Sequence, residues 1–361
     1  MGALDRPETL AVDSLGLIPG VGEAVQAFDR GRASAEALEI PFPPDAIRDV
    51  AICGMGGSAI AGDLIAGVYR DRLRRPVATV RDYILPGWVG PDTLVVLCSY
   101  SGNTEETLTC SMQAMERKSL IVGITSNGKL ADLGGRQGMP IIGVPPGMQP
   151  RAALLDLFTP MLVTLSRLGV LPPIDGELDD GRAALEAAVA AYGPRVGESE
   201  NPAKQLATEL AGAVPVIYGA EATSALAYRW KCQFNENSKV PAFWHALPEM
   251  NHNEIVGYEG LAGFHKLAHV LMLRDARQHR QVERRFDLTR RLIEERVRGV
   301  VSISGDGDTA LARLLDLVLL GDYVSLYLGC LHEVDPGPVE IIEQLKRDLA
   351  SSGYGRVDGE A

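Results

Sequence analysis

Five short runs in the first half of the chain, 49–55, 76–82, 93–100, 119–126 and 139–145, are nearly continuous in apolar and β-branched residues. Unbroken runs of this kind suit parallel strands covered on both faces, whereas half-exposed strands alternate. The stretches between them, such as AIAGDLIAGVYRDRL and TEETLTCSMQAMERK, have helical character. Strands alternating with helices predict βαβ units, a doubly wound sheet and right-handed crossovers. Segment 170–181, with Pro172-Pro173 and several acids, interrupts this pattern; the helical RAALEAAVAAYGPRV and the loop-like GESENPAK at 197–204 follow. The theme then returns, with a strand at 214–219, the helix TSALAYRWKCQFNEN, strands HVLMLRD and VRGVVSIS, and a long helix through LARLLDLVLLGDYVSLYLGCL. VPVIYGAEATSALAYR shares the plan of VAICGMGGSAIAGDL: an apolar strand, glycine, small residues, a helix. The pattern predicts an α/β fold of two domains, 1–175 and 176–361, each a parallel sheet flanked by helices.

A length of 361 residues agrees with two cores rather than one. With 46 % hydrophobic and 23 % charged residues, the composition is that of an ordinary globular protein. A formal charge of −12 argues against a general partner such as nucleic acid or an anionic membrane, and leaves a small anionic ligand open. The five cysteines are scattered without a CxxC pair, so neither a disulfide framework nor a zinc knuckle is indicated. Cys53 and Cys98 fall in strands and read as buried packing residues. The N-terminus shows no secretory or myristoylation pattern, and no apolar run is read as a bilayer span. The expected setting is the cytoplasm.

Two strand-to-helix turns in the first half are rich in glycine and hydroxyls. CGMGGSA presents Gly56, Gly57 and Ser58; SYSGNTEET presents Ser99, Ser101 and Thr104. Both lie at the carboxyl ends of parallel strands, where open α/β sheets bind ligands, and each opens a helix whose free N–H groups favour anions. A third turn, ITSNGKL, extends the same rim. GMGGSA lacks the third glycine of the dinucleotide fingerprint, although Asp82 could serve as its acid, and no GK[ST] follows as a Walker loop requires. Each turn alone also reads as close packing or simple helix capping. The two together indicate a small-molecule phosphate rather than a dinucleotide.

Segment 233–258 holds Glu236, Lys239, His245, Glu249, His252 and Glu254. Moving a proton between C1 and C2 of a sugar requires a base, for which Glu236 suffices, and a group near neutrality to open the ring, which histidine supplies. A cation offsets the charge of the enediolate, and Arg151 is the candidate. Taken singly, Glu236 reads as a solvated helix end and His252 as a hydrogen-bonded loop residue. His265 and His269 have i, i+4 spacing, but the HExxH pattern is absent and the segment runs into a strand, so no metal site is read there. The basic and acidic stretch RQHRQVERRFDLTRRLIEERVR reads as a solvated helix.

Together, GMGGSAIAGD, SYSGNTEET, PPGMQPRAAL, NENSK and EMNHNEI resemble the bifunctional phosphoglucose/phosphomannose isomerase family of the sugar isomerase (SIS) domain superfamily. The resemblance runs in order from about residue 45 to about 350, and NENSK…NHNE is its most family-specific part. It implies two SIS domains, a homodimer, and metal-free interconversion, without a cofactor, of fructose 6-phosphate with glucose 6-phosphate and mannose 6-phosphate through a cis-enediol. It further implies Glu236 as the proton-transferring base and Arg151 as the stabiliser of the enediolate. His252 would assist ring opening from the partner subunit, and Lys346 of EIIEQLKRDL would join the site. Gly56, Gly57, Ser58, Ser99, Ser101 and Thr104 would hold the phosphate.

The sequence departs from the family near LHEVDPGPVE, where His332 and Glu333 replace a basic residue and glycine, and Gly337 stands where a hydroxyl is common. It also carries additional residues around 275–296 and at both ends. Other readings of the same phosphate turns are a non-catalytic SIS sensor and an isomerase of another phosphosugar. The acidic 45 residues before the first strand are too few for the DNA-binding domain such sensors carry.

Overall fold

The structure, a computed structural model, describes residues 2–351, with only the backbone of Ala262 and Ala350. The end of the second sequence-derived domain, 352–361, lies outside the described residues. The strands are β1 (Asp49–Cys53), β2 (Val77–Val80), β3 (Thr93–Cys98), β4 (Leu120–Thr125), β5 (Ile141–Gly143), β6 (Val214–Ala220), β7 (Phe243–Leu247), β8 (Ala268–Arg274) and β9 (Gly299–Ser304). The longer helices are α1 (Ala24–Ala37), α2 (Gly56–Val68), α3 (Glu105–Glu116), α4 (Gly128–Gln137), α5 (Leu154–Arg167), α6 (Asp175–Tyr192), α7 (Pro202–Leu210), α8 (Ser224–Asn237), α9 (Arg280–Ile293), α10 (Ala310–Leu331) and α11 (Glu340–Ser351).

Two parallel sheets form, one in the order β2-β1-β3-β4-β5 and one in the order β7-β6-β8-β9. In the first, the chain leaves β1 for β2 on one side and returns to β3 on the other, so the carboxyl ends of β1 and β3 form the switch point at which open α/β sheets hold their ligands. β3 is buried throughout, which is why its sequence lacks alternation. β6 and β8 make the corresponding switch in the second sheet.

The shared plan of the two halves extends to backbone conformation. Gly54-Met55-Gly56-Gly57-Ser58 aligns with Gly219-Ala220-Glu221-Ala222-Thr223, and Gly56 and Glu221 both adopt left-handed φ, +49° and +50°. Ser58 Oγ accepts from the N–H of Tyr100, just past β3, while Thr223 Oγ1 donates to the carbonyl of Leu273 in β8. Each turn thus ties its central strand to the neighbouring one through a hydroxyl, with opposite hydrogen-bond polarity.

α10 runs through the centre, and one continuous cluster of buried side chains links both sheets around it, including Ile52 and Val96 from the first and Ile217 and Leu271 from the second. Contrary to the sequence expectation, α10 has the length and apolar character of a membrane span. Its side chains from Leu311 to Cys330 are instead buried within the protein, because helices from both halves of the chain surround it, and a helix covered all round is apolar all round.

The acidic N-terminal residues are largely helical and insert Leu4 and Phe28 into this core, while α1 packs on α5. Asp5 accepts from the buried Lys204 Nζ of α7 at 3.1 Å, fastening the arm to the second half. The acids near 175–181 form the first turns of α6 rather than a linker. α9, the expected solvated helix, turns Val282, Phe286, Thr289 and Ile293 inward and its charges outward. Segment 233–258 contains a strand, β7, on the edge of the second sheet, which the sequence pattern does not announce.

Candidate active site

The phosphate-type turns converge at the carboxyl end of the first sheet. Met55 stays extended and Gly56 turns left-handed to start α2, which places the helix N-terminus at the switch point. Gly57 faces the segment after β5: a Cβ there would lie 2.7 Å from the Pro150 carbonyl oxygen and 3.4 Å from Arg151 Cα. Only glycine permits this approach, which sets the first turn against Arg151.

In the second turn, the hydroxyls of Ser99 and Thr104 are 2.8 Å apart, and Thr104 makes no cap to α3. The Asn103 N–H donates to Ser101 Oγ at 3.3 Å, leaving Ser101 exposed. Ser126 Oγ donates to the Tyr100 carbonyl, and Asn103 Oδ1 accepts from the Lys129 N–H, so the third turn is fastened to the second. Tyr100 continues the scaffold, its hydroxyl donating to the Pro145 carbonyl and accepting from the Met148 N–H, both at 2.8 Å. The loop leading to Arg151 is thereby pinned to the phosphate-type turns.

Arg151 is only 4 % exposed. Its Nε donates to Asn237 Oδ1 at 2.7 Å, and its Nη2 to the carbonyls of Pro336 and Gly337 at 2.5 and 2.7 Å. Gln149 Oε1 lies 3.4 Å from Nη1. Burial lowers the Arg151 pKa, and the nearby Glu236 opposes that shift. Arginine nevertheless stays charged in proteins.

Glu236 is the penultimate residue of α8, with its carboxylate part-exposed and 3.8 Å from Arg151 Nη1. The helix closes just beyond it, as the Val240 N–H bonds back to the Phe234 carbonyl at 3.4 Å and Lys239 adopts φ +55°. This is the left-handed position usually given to glycine. A lysine held there carries backbone strain, of a kind that clusters at functional sites. Its Nζ donates to the carbonyls of Glu236 at 2.5 Å and Pro338 at 2.7 Å. Burial lowers the Lys239 pKa and the charge on Arg151 lowers it further. Asp335 accepts from the N–H groups of Ser14 and Gly337, so the N-terminal arm also holds the 335–338 strap.

The structure therefore places Gly56, Gly57 and Ser58 in one turn and Ser99, Ser101 and Thr104 in the turn linked to it through Ser58 and Tyr100, with Ser58 and Ser99 buried, and sets Arg151 against the first turn and near Glu236. His252 and Lys346 stand apart. His252 is exposed on the turn Glu249–His252 after β7, and Lys346 is exposed on α11. Among the described residues, neither forms a hydrogen bond or ion pair with Glu236 or Arg151. Gln149, Asn237 and the strap carbonyls emerge only from the structure. Lys239 is visible in NENSK, but its place depends on a backbone twist that no residue pattern marks.

In the second sheet, Glu221 occupies the position equivalent to Gly56, and its carboxylate accepts from the His279 N–H at 3.0 Å. A carboxylate there disfavours a bound anion, unlike the glycine at the same position in the first sheet. His265 stacks against Tyr258 and His269 lies in β8, so the two do not share a helix face. Among the described residues, no group of three or more His, Cys, Asp or Glu could hold a metal ion.

Comparison with known proteins places this geometry in a family. The bacterial phospho-glucose isomerase C-terminal SIS domain model matches residues 199–349. A bifunctional phosphoglucose/phosphomannose isomerase from Caldicellulosiruptor bescii is 43 % identical, the alignment covering 87 % of this chain and 93 % of the relative. A protein of the same description from Aquifex aeolicus is 38 % identical over 84 % of this chain and 90 % of its own. Among solved structures, a glucose-6-phosphate isomerase like protein from Thermus thermophilus shares the fold, with a TM-score of 0.64 at 22 % identity, covering 96 % of this chain and 99 % of that one. The chain belongs to the bifunctional phosphoglucose/phosphomannose isomerase family.

Proposed function

We propose that the protein is a cytoplasmic aldose–ketose isomerase that interconverts fructose 6-phosphate with glucose 6-phosphate and mannose 6-phosphate. The observation that carries this reading is the part-exposed Glu236 carboxylate beside the buried Arg151, which Gly57 sets against the first of the turns that bear glycine and hydroxyls. The Gly56 and Gly57 backbone with Ser58, Ser99, Ser101 and Thr104 binds the phosphate. Glu236 removes the proton from C2 of the aldose, the C–H electron pair becomes the C1–C2 double bond and the carbonyl pair moves onto O1, giving a cis-enediolate; a proton passes from the O2 hydroxyl to O1, and as the O2 electron pair forms the C2 carbonyl, Glu236 returns the proton to C1. In reverse, delivery to C2 gives the glucose or the mannose epimer according to which face of the enediol meets the carboxylate. Arg151 offsets the charge that develops on oxygen.

His252 acts in ring opening at the active site of the partner subunit of a homodimer. The family motif supports this role, as does its exposed position away from Glu236 in the same chain. Lys346 joins a site when α11 docks; α11 starts just after the strap held by Lys239 and exposes Ile341 and Leu345. The division into domains 1–175 and 176–361 assigns the phosphate turns to the first half and the base to the second.

Incubating the purified protein with fructose 6-phosphate in D2O and EDTA, followed by proton NMR, tests the reading. Glucose 6-phosphate and mannose 6-phosphate deuterated at C2 are expected. Folded protein that gives no product and no solvent exchange overturns it.

A further inference from the structure

The buried Arg151 guanidinium is held almost entirely by neutral acceptors: an amide oxygen of Asn237, the Gln149 side chain and two strap carbonyls. Its nearest carboxylate, Glu236, remains at 3.8 Å. Neutral acceptors orient a guanidinium without cancelling its charge, and that charge is what an enediolate would use. The arrangement works only if Asn237 presents its oxygen, not its amino group, to Arg151.

Helix α10 sets that orientation. Asn237 Nδ2 donates to Ser325 Oγ at 2.9 Å, and Ser325 Oγ donates its own proton to the Asp322 carbonyl at 2.9 Å. With its proton committed, the hydroxyl can only accept from Asn237, so a flipped amide would lose its partner. Ser238 Oγ donates to the Ser325 carbonyl at 2.6 Å and secures the same junction. One turn earlier, the Asp322 carboxylate receives Arg229 Nη2 at 2.7 and 2.8 Å and Gln233 Nε2 at 2.7 Å. Arg229 Nη2 also reaches the Arg151 carbonyl at 3.4 Å. Arg229, Gln233 and Asn237 recur every four residues, so one face of α8 meets α10 while Glu236 at its end looks into the site. Ser325 is wholly buried, and Asn237 and Arg229 nearly so.

We infer that Ser325 and Asp322 of the core helix are positioning residues for Arg151. Ser325 acts through Asn237 on the guanidinium, and Asp322 acts through Arg229 on the Arg151 main chain. Together they fix the cation in place without a hydrogen-bonded carboxylate to neutralise it. The inference rests on the isomerase reading above and deepens it.

Asn237→Asp and Ser325→Ala separate positioning from mere packing. Asn237→Asp keeps an acceptor for Arg151 but sets a carboxylate against it; Ser325→Ala removes the group that orients the amide. For each variant, kcat, KM, melting temperature and the inhibition constant of a phosphorylated aldonohydroxamate, an enediolate mimic, are compared with wild type. Asn237→Asp is expected to lower kcat by about 10–100-fold with KM changed less than about 3-fold, and to weaken the mimic by the factor lost in kcat. Ser325→Ala is expected to give the same pattern at roughly 3–10-fold, and Ser325→Thr to recover part of it. Should one substitution prevent folding, the other carries the test. Folded variants with wild-type kcat and mimic affinity, in an active enzyme, overturn this inference alone. A wild-type protein that converts no hexose phosphate overturns the isomerase reading and this inference with it.

Discussion

Arg151 and Glu236, from opposite halves of the chain, meet with the guanidinium 3.8 Å from the carboxylate. At that distance the charges attract, but the arginine's hydrogen bonds go elsewhere, to Asn237 and the strap. The carboxylate is therefore left free to exchange a proton. A fully engaged, bidentate pair would have held both groups out of the reaction.

Glu236→Gln separates binding from chemistry. The amide is nearly isosteric but accepts no proton at neutral pH, so kcat is expected to fall by at least about 10³-fold, within the range for lost acid–base groups. Fructose 6-phosphate affinity, measured by calorimetry, is expected to change less than about 5-fold. Loss of binding together with turnover would make Glu236 a structural residue.

Gly57→Ala tests the junction between the first turn and Arg151. The new methyl meets main-chain atoms of Pro150, which cannot rotate aside, so the 150–151 segment must move. Overpacking of this kind costs about 1–3 kcal/mol, read by urea unfolding. The kcat/KM value is expected to fall by more than about 10-fold, since both the phosphate turn and the cation shift. Gly56→Ala meets nothing within 4 Å but must adopt φ +49°, costing about 1–2 kcal/mol. Equal activities for wild type and Gly57→Ala would remove the turn from the site.

Much of the fold can be read in the sequence because parallel strands covered on both faces appear as continuous apolar runs, as in Thr93–Cys98. β7 escapes for the opposite reason. It is a short edge strand with Phe243 and Trp244 exposed and His245 in the middle, so it forms neither a run nor a clean alternation. Of the candidate site, Arg151, Glu236 and the two turns stand out in the sequence because side chains and glycines would carry their chemistry. The Pro336 and Gly337 carbonyls are not, since a main-chain acceptor has no residue signature. Lys239 gains its place from a left-handed φ, and Asn237 from a hydroxyl on a distant helix.

Lys118→Gly is expected to stabilise the protein without touching the site. Lys118 follows α3 with φ +57°, while its own N–H bonds to the Met115 carbonyl and the Ser119 N–H to the Ala114 carbonyl. This closure favours glycine at its left-handed position. Lys118 is exposed, so little packing is lost. A gain of about 0.5–1 kcal/mol is expected by urea unfolding, with unchanged kcat and KM. A loss of stability would mean that the lysine side chain contributes more than its backbone strain costs.

His269 gives the fold a sensitivity to mild acid. The residue is 2 % exposed, in the central part of the second sheet, and both ring nitrogens lack a well-formed hydrogen bond. Burial lowers its pKa below the ordinary 6.5; Glu209, at 3.3 Å, pulls it back up, and Arg298 pushes it further down. The unfolded chain therefore binds a proton near pH 6.5 that the folded chain refuses until lower pH. Stability is thus full above about pH 7, falls as pH drops through 6.5, and levels off below the folded-state value. Within that window the loss is at most about 1.4 kcal/mol per pH unit. Melting temperatures of wild type and His269→Asn between pH 5 and 8 should show a shallower decline in the variant. Glu209→Gln removes the group that raises the pKa and should carry the decline to lower pH. Parallel curves for wild type and His269→Asn would assign the acid sensitivity to other groups.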